Sequence, residues 1–288
     1  MTDSPSQETT RIYFQNINGL RWDAEAGKWP YICEVLESIN ADIACFVETN
    51  TNTNNYTVRQ KMETICQLQF QQSRLILASS NQSSKSTYKP GGTALLARNA
   101  ITARIKSHTR DRMGRWASIS IDASPTKRIR IITAYQVGTT TRPGTNTAAA
   151  QQQAQIMIEQ SVERQYQRRT PREAFIHDLQ SFIRQVQNER EEIILLGDFN
   201  EEISSPTSGM DRLATNCGLA DLFSIRLGTT SGPATYQRGP RRIDYALVSP
   251  TLLEHVIAAG YDPFGYRIPT DHRAFYIDFA TEALVKVG

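Results

Sequence analysis

EEIILLGDFNEE, residues 191–202, is the stretch from which the rest of the chain is read. Ile193 to Leu196 form a short apolar run of the kind that a fully buried strand uses. Gly197 breaks the run, and Asp198 and Asn200 follow it one residue apart. On an extended segment, positions two apart point to the same side, so the carboxylate and the amide are expected to face one point in space. Polar groups emerging together from a hydrophobic strand are costly unless something uses them. A plain polar turn is the competing reading, since Gly, Asp and Asn are ordinary turn residues. Glu201 and Glu202 read as solvated.

Working outward, helix signals precede this strand. Thr170-Pro171-Arg172-Glu173 combines an N-cap Thr, Pro at the first helical position and Glu at the third, a capping-box pattern. The helix that it opens carries Phe175, Leu179, Phe182, Ile183 and Val186 on one stripe. Upstream, Arg11–Asn16 alternates as a strand and ends in Asn16-Ile17-Asn18-Gly19. Lys28–Asn40 has helical spacing, and Asp42–Val47 is an apolar strand with Glu48 at its end. A further helix is expected around Val58–Leu68. Strands are predicted at Arg74–Ala78, Thr93–Ala97, Ala103–His108, Trp116–Ile121 and Arg128–Tyr135. The Thr/Gln/Arg-rich stretch 139–170 supports a thin helix over Ala150–Glu163. Downstream, a short helix is expected at Met210–Cys217, strands at Arg242–Val248 and Ala274–Phe279, and a helical turn at Thr251–His255. Strands dominate and helices flank them, which fits a β-sandwich with helices outside. The organisation expected is a loose N-terminus over 1–10, one domain over 11–280 and a tail over 281–288.

The chain has 288 residues, 39% hydrophobic and 21% charged, with a formal net charge of +3. This is ordinary globular composition, and its mild basicity permits a polyanionic partner without demanding one. Cys33, Cys45, Cys66 and Cys217 are scattered without metal-ligand spacing, so buried free thiols in a reducing compartment are expected. No apolar run is long enough to span a membrane, and the polar start MTDSPSQETT lacks a signal-peptide core. An intracellular, monomeric protein without membrane association is the expectation.

Asn16, Glu48, Asp198 with Asn200, Asp244 and Asp271-His272 all lie in or at the edge of predicted strands. Groups held by separate strands can converge at a sheet rim. Individually each has a structural alternative: Asn16 a turn former, Glu48 an exposed strand end, Asp244 the partner of Arg241 or Arg242.

FQNING, the Glu of CFVETN, TAY, LGDFN, RRIDYALVS and TDH resemble, in order and approximate spacing, the endonuclease/exonuclease/phosphatase superfamily, from about Arg11 to Phe279. The resemblance implies a four-layered α/β sandwich, two mostly antiparallel β-sheets face to face with helices outside. It also implies phosphate-ester hydrolysis by an activated water, with Mg2+ or Mn2+. Hard divalent cations prefer oxygen ligands and neutralise a phosphodiester's charge. By resemblance Glu48 is the principal metal ligand, Asn16 and Asn18 lie beside the metal, and Asp271 supports it. Asp198 matches the residue that orients or deprotonates water, and Asn200 the one that holds the water or phosphate. His272 would bond a phosphate oxygen as imidazolium, with Asp244 as its carboxylate partner. Tyr135 matches a phosphate-contacting tyrosine.

Two departures matter, the first for metal affinity and the second for the abasic-site repair reading. Asn18 stands where several relatives carry an acid, and Tyr135 is followed by Gln-Val-Gly rather than the Pro-Asn common in abasic-site repair enzymes. Basic residues group as Arg110, Arg112 and Arg115; as Arg164, Arg168, Arg169 and Arg172; and as Arg238, Arg241 and Arg242, the last just before Asp244. Of these, Arg115, Arg238, Arg241 and Arg242 are the candidate nucleic-acid contacts. GGTALLA, GRW, AY, a Gln-rich stretch and GDFNE look most like endonuclease domains of non-LTR retrotransposons. That likeness implies a double-stranded DNA partner, a nick leaving a 3'-hydroxyl, fusion to a reverse transcriptase in a longer polyprotein and nuclear action. Abasic-site repair, an inositol or sphingolipid phosphatase and an inactive nucleic-acid-binding module stand as alternatives.

Overall fold

The computed structural model describes residues 9–20, 27–139, 144, 146–162, 169–204 and 207–284. Its first half runs β1 (Thr9–Asn16), α1 (Lys28–Ser38), β2 (Ile43–Val47), α2 (Tyr56–Gln69), β3 (Ser73–Ala78), β4 (Thr93–Arg98), β5 (Ile105–Arg110), β6 (Trp116–Ser124) and β7 (Lys127–Tyr135). The second half runs α3 (Ala148–Val162), α4 (Pro171–Asn188), β8 (Glu191–Asp198), α5 (Gly209–Cys217), β9 (Ala220–Asp221), α6 (Leu222–Leu227), β10 (Asp244–Val248), β11 (Val256–Tyr261), β12 (Phe275–Ala280) and α7 (Thr281–Leu284). Short 3-10 turns at Asn99–Arg104 and Pro250–His255 lead into β5 and β11.

Alternation along the strands divides the core into layers. In β2, Ile43, Cys45 and Val47 face the central core, while Ala44 and Phe46 pack outward with Trp29, Ile32 and Leu36 of α1 and Val58 and Met62 of α2. On the other side, Phe175, Leu179, Ile183 and Val186 of α4 bury the stripe read from the sequence. Thr170 accepts the Glu173 N–H and the Glu173 carboxylate accepts the Thr170 N–H, so the capping box is formed.

The strands make two six-stranded sheets, ordered β11-β12-β1-β2-β4-β3 and β5-β6-β7-β8-β10-β9. β1 pairs β2 in parallel and β7 pairs β8 in parallel; the other ladders are antiparallel. This is the expected four-layered α/β sandwich. The registers matter for function. Asn16 lies opposite Val47, Tyr135 opposite Asp198, and Asp198 opposite Asp244, so the inner strands deliver polar groups at one rim.

Several elements differ from the sequence reading. Thr9 and Thr10 already belong to β1, and residues 1–8 lie outside the described residues. The expected tail begins instead as α7, whose Leu284 is buried in the central core; residues 285–288 lie outside the described residues. The strand expected from Ala103 starts at Ile105, after the 3-10 turn. The helix expected over Ala150–Glu163 runs Ala148–Val162, with Ile156 buried and Met157 exposed. β9, α6 and β11 were not anticipated. All four cysteines are buried and free, as expected. Among the described residues, no helix is long and apolar enough to cross a membrane.

Candidate active site

Each site residue reaches the rim for a local reason. β8 is continuous through Asp198 because Gly197 tolerates a close approach: a Cβ there would lie 2.6 Å from both the Ala134 carbonyl and the Phe199 ring. Beyond Asp198 the extended geometry stops. Asn200 takes a φ of 51°, its N–H donates to Asp198 Oδ1 at 3.0 Å, and its Nδ2 donates to the Gln136 carbonyl at 2.8 Å. The two polar groups therefore meet through a turn, not through strand alternation. Glu48 breaks its strand more sharply. By alternation it would follow Ala44 and Phe46 outward, but a left-handed φ of 53° leaves its carboxylate in the cleft. For a residue that is neither Gly nor Asn this backbone is strained, a condition that clusters at functional sites. The Gly19 N–H, donating to the Glu48 carbonyl at 2.7 Å, secures it.

Asn16 is the hub. Its Oδ1 accepts the Asn18 N–H at 2.9 Å, which turns Nδ2 toward Asp198 Oδ2 at 2.8 Å and Glu48 Oε2 at 3.0 Å. The other Glu48 oxygen accepts the Tyr135 hydroxyl. Burial, then Glu48 and Asp198, hold the Tyr135 phenol well above its ordinary pKa, so it stays a neutral donor. Asn18 Nδ2 donates to Asp271 Oδ1 at 3.1 Å at the exposed mouth.

His272 lies beneath. Its Nδ1 is 3.0 and 3.2 Å from the two Asp244 oxygens, and its Nε2 is 4.0 Å from Asp198 Oδ2. Burial alone would lower the imidazole pKa, but Asp244, helped by Asp198 and Glu48, raises it to about 10. Asp198 goes the other way from an ordinary carboxylate: burial first, then Asp244 and Glu48, push it well up, with His272 and Asn16 opposing. A basic carboxylate beside a cationic imidazole is a useful acid–base pair.

Asn18, Glu48, Tyr135, Asp198, Asn200, Asp271 and His272 thus line one cleft of about 240 Å³, with Asn16 and Asp244 buried below it. Asp198, Asp244 and His272 place ligand atoms within 4.8 Å of one another, a spacing able to hold a metal ion. The oxygen-rich donor set suits a hard divalent cation, and the buried acids leave negative charge for it to offset.

The arginines divide. Arg238 and Arg241 are exposed on the loop before β10. Arg115 and Arg242 are each only 2% exposed, which corrects their reading as nucleic-acid contacts. Arg115 is clamped by Asp111 at 2.8 Å and Asp178 at 2.9 Å, while its carbonyl accepts the Tyr135 N–H. Arg242 pairs with Asp221 at 2.5 Å, so Asp244 is left to His272. Glu201 is also not merely solvated: it accepts from Arg172 and from the Ser208 hydroxyl and Met210 N–H that open α5. Arg164 and Arg168 lie outside the described residues.

Sequence reading passed over Tyr236. It lines the cleft and packs against His272, with ring centroids 4.9 Å apart and the ring planes tilted by 37°. The neighbouring Thr235 hydroxyl accepts the N–H groups of Ile243 and Asp244. An aromatic residue in the loop immediately before RRIDY was the available signal.

A two-sheet sandwich with carboxylates, amides and one imidazolium converging on a polar rim cleft defines a phosphoester hydrolase of nuclease-like architecture. The chain belongs to the Endonuclease/Exonuclease/phosphatase family, whose model matches residues 15–272. Members hydrolyse phosphoester bonds and generally depend on a divalent metal. Among curated proteins compared by sequence, none matches. Similar solved structures include the AP endonuclease LMAP from Leishmania major, with 14% identity, TM-score 0.65, and coverage of 95% of this chain and 88% of that one. The 3' phosphatase NExo from Neisseria, bound to a product DNA hairpin, has 17% identity, TM-score 0.58, and coverage of 94% and 99%. The human Nocturnin catalytic domain with a bound sulfate anion has 16% identity, TM-score 0.58, and coverage of 95% of both chains. At these identities the likeness is one of fold.

Proposed function

We propose that the protein is a Mg2+-dependent phosphodiesterase, with Mn2+ as a substitute, that nicks double-stranded DNA and leaves a 3'-hydroxyl, in the manner of a non-LTR retroelement endonuclease. The observation that carries the chemistry is the hydrogen-bonded chain Glu48–Asn16–Asp198 beside the Asp244–His272 pair. The retroelement reading rests on GGTALLA, GRW and GDFNE in their order along the chain.

Asp198, made basic by burial, takes a proton from water, whose oxygen forms a bond to phosphorus as the bond to the 3'-oxygen breaks, and the released 3'-oxygen takes up a proton from solvent to give the 3'-hydroxyl. Asn200 and the Asn16 amide hold that carboxylate and water in line. His272, cationic through Asp244, donates to a non-bridging phosphate oxygen and stabilises charge as it builds. Tyr236 packs on the imidazole and fixes its plane. Glu48, flanked by Asn16, Asn18 and Asp271, would hold the divalent cation, which supplies neutralisation of the phosphate and of the leaving oxygen. Nδ1 of His272 is already engaged by both Asp244 oxygens, which favours its use as imidazolium over metal ligation. Arg238 and Arg241 are the flanking phosphate contacts. The wider reading includes nuclear action and fusion to a reverse transcriptase.

Abasic-site repair is the second reading, supported by the fold likeness to the Leishmania AP endonuclease. Supercoiled plasmid with Mg2+ separates the two, with EDTA and Asp198→Ala as controls. Open circles that prime a DNA polymerase directly are expected, with the Asp198→Ala rate lower by about 10²–10⁴. Cleavage confined to depurinated plasmid would transfer the assignment to repair. An absence of nicking with any divalent metal would end the nuclease reading.

A further inference from the structure

The basic group Arg110, Arg112 and Arg115 is divided by the fold. Arg115 turns inward, whereas Arg110 and Arg112 remain exposed and, with Arg59 of α2, line a second cleft of about 330 Å³. One wall is the end of β3 at Leu77–Ser79; the facing wall is Arg110–Arg112, where β5 ends.

Register fixes where this cleft lies. Ala78 pairs with Thr93, which pairs with Val47, the residue before Glu48. Arg110 pairs with Ala117, next to Trp116, which pairs with Ala134, the residue before Tyr135. β3 and β5 are the edge strands on that side of their sheets. The second cleft therefore shares the catalytic rim, displaced by two strand spacings or ~10 Å.

Its charge is only partly spent. Asp111 is the one acid among its lining residues, and its carboxylate is occupied by the Arg115 guanidinium and by the N–H groups of Met113 and Arg115. Arg112 shares Glu159 at 2.8 Å while its side chain stays 63% exposed. Arg59 has no carboxylate partner among the described residues, and Arg110 makes only a 3.4 Å contact to the Leu77 carbonyl. The field is felt by His108 on β5, whose pKa is lowered by burial and then by Arg110 and Arg74. Unpaired guanidinium groups in a polar recess match a phosphate, which they bind in a forked geometry.

We propose that this cleft holds a backbone phosphate of the same nucleic-acid strand about one or two nucleotides from the scissile bond, since the axial rise of about 3.4 Å is only part of each phosphate-to-phosphate step along a strand. The inference rests on the nucleic-acid reading above. It adds Arg59 and Arg110 to the binding surface and directs the substrate toward the β3/β5 edge.

The test is fluorescence anisotropy of the whole chain with a labelled duplex of about 30 base pairs in EDTA, across a salt series. The Arg59→Gln/Arg110→Gln variant should bind about tenfold more weakly, with its log K against log[salt] slope shallower by about 1 to 2. Arg110→Glu should weaken binding further, and Arg59→Lys/Arg110→Lys should restore most of the slope. Arg184→Gln, on the exposed side of α4, is the control and should match wild type. An unchanged slope in the Gln and Glu variants, while wild type nicks DNA, overturns the second cleft alone. A wild type that neither binds nor nicks DNA overturns both this inference and the reading beneath it.

Discussion

His272 shows how a single residue's surroundings set both its charge and its cost. Its folded pKa is raised from 6.5 to about 10, despite burial, because Asp244, Asp198 and Glu48 surround it. A raised cationic group contributes stability that is fully present below its unfolded pKa and is lost as pH climbs through the folded one. The melting-temperature gap between wild type and His272→Gln should therefore be widest below pH 6.5 and narrow between 6.5 and about 10. A gap that stays constant across that window, followed by differential scanning calorimetry, would mean that the imidazole is neutral in the fold. The polar identities at the site were legible in the sequence, since Asp198, Asp244, Glu48 and His272 interrupt or adjoin apolar runs. The fates of the arginines were not. Whether a guanidinium meets solvent or a carboxylate depends largely on residues far along the chain: Asp221 for Arg242, Asp278 for Arg11 and, beside the local Asp111, Asp178 for Arg115. Spacing in sequence carries no record of those encounters, so Arg115 and Arg242 read as surface charge.

At the scale of elements, local signals and tertiary pairing contributed unequally. α4 was legible to its first residue because its start is encoded by Thr170, Pro171 and Glu173 within four positions. Thr170→Ala removes the acceptor for the Glu173 N–H and should cost about 1 kcal/mol. For a chain of this size that is a fall of roughly 2 °C or slightly less in melting temperature, measured by circular dichroism. Since the Arg172 guanidinium donates to the Val137 carbonyl at 2.7 Å, the cap also steadies the segment after Tyr135. Thr170→Ser should retain most of the stability; an equal loss in both variants would show that the cap hydroxyl contributes little. β11 is the contrary case. Val256–Tyr261 contains Ala258, Ala259 and Gly260, which have weak strand preference, and it extends because β12 offers an unpaired edge. β9 is two residues long and exists only as a partner for β10. Neither has a local period to read. The turn at Asn200 and the reversal at Glu48 were hidden for a related reason: both depend on left-handed backbone that tertiary hydrogen bonds impose.

For the whole molecule, the site is the place where the two sheets are joined by charge rather than by apolar packing. Glu48 and Asn16 come from one sheet, Asp198 and Asp244 from the other, and His272 from the segment entering β12. Three carboxylates gathered there against one imidazolium oppose closure of the rim, and the strained Glu48 backbone adds to that cost. Apolar contact elsewhere between the sheets keeps the sandwich closed. A ligand that binds only the folded arrangement raises stability by mass action, about 2.7 kcal/mol at 100-fold excess over its Kd. Mg2+ is therefore expected to raise the melting temperature by about 5 °C relative to EDTA, from the same size scaling. Glu48→Gln separates the two contributions. In EDTA it should melt at or above the wild-type temperature, because one buried-rim charge is gone while the Asn16 and Tyr135 contacts can persist. With Mg2+ it should gain little, because on the proposed assignment the principal oxygen donor has lost its charge. A wild-type melting point insensitive to Mg2+ and Mn2+, or a Glu48→Gln variant that gains as much as wild type, would remove Glu48 from the metal-binding role. The expected inversion, a variant more stable without metal and less stable with it, follows from a rim whose acids are held together for chemistry at the expense of the fold.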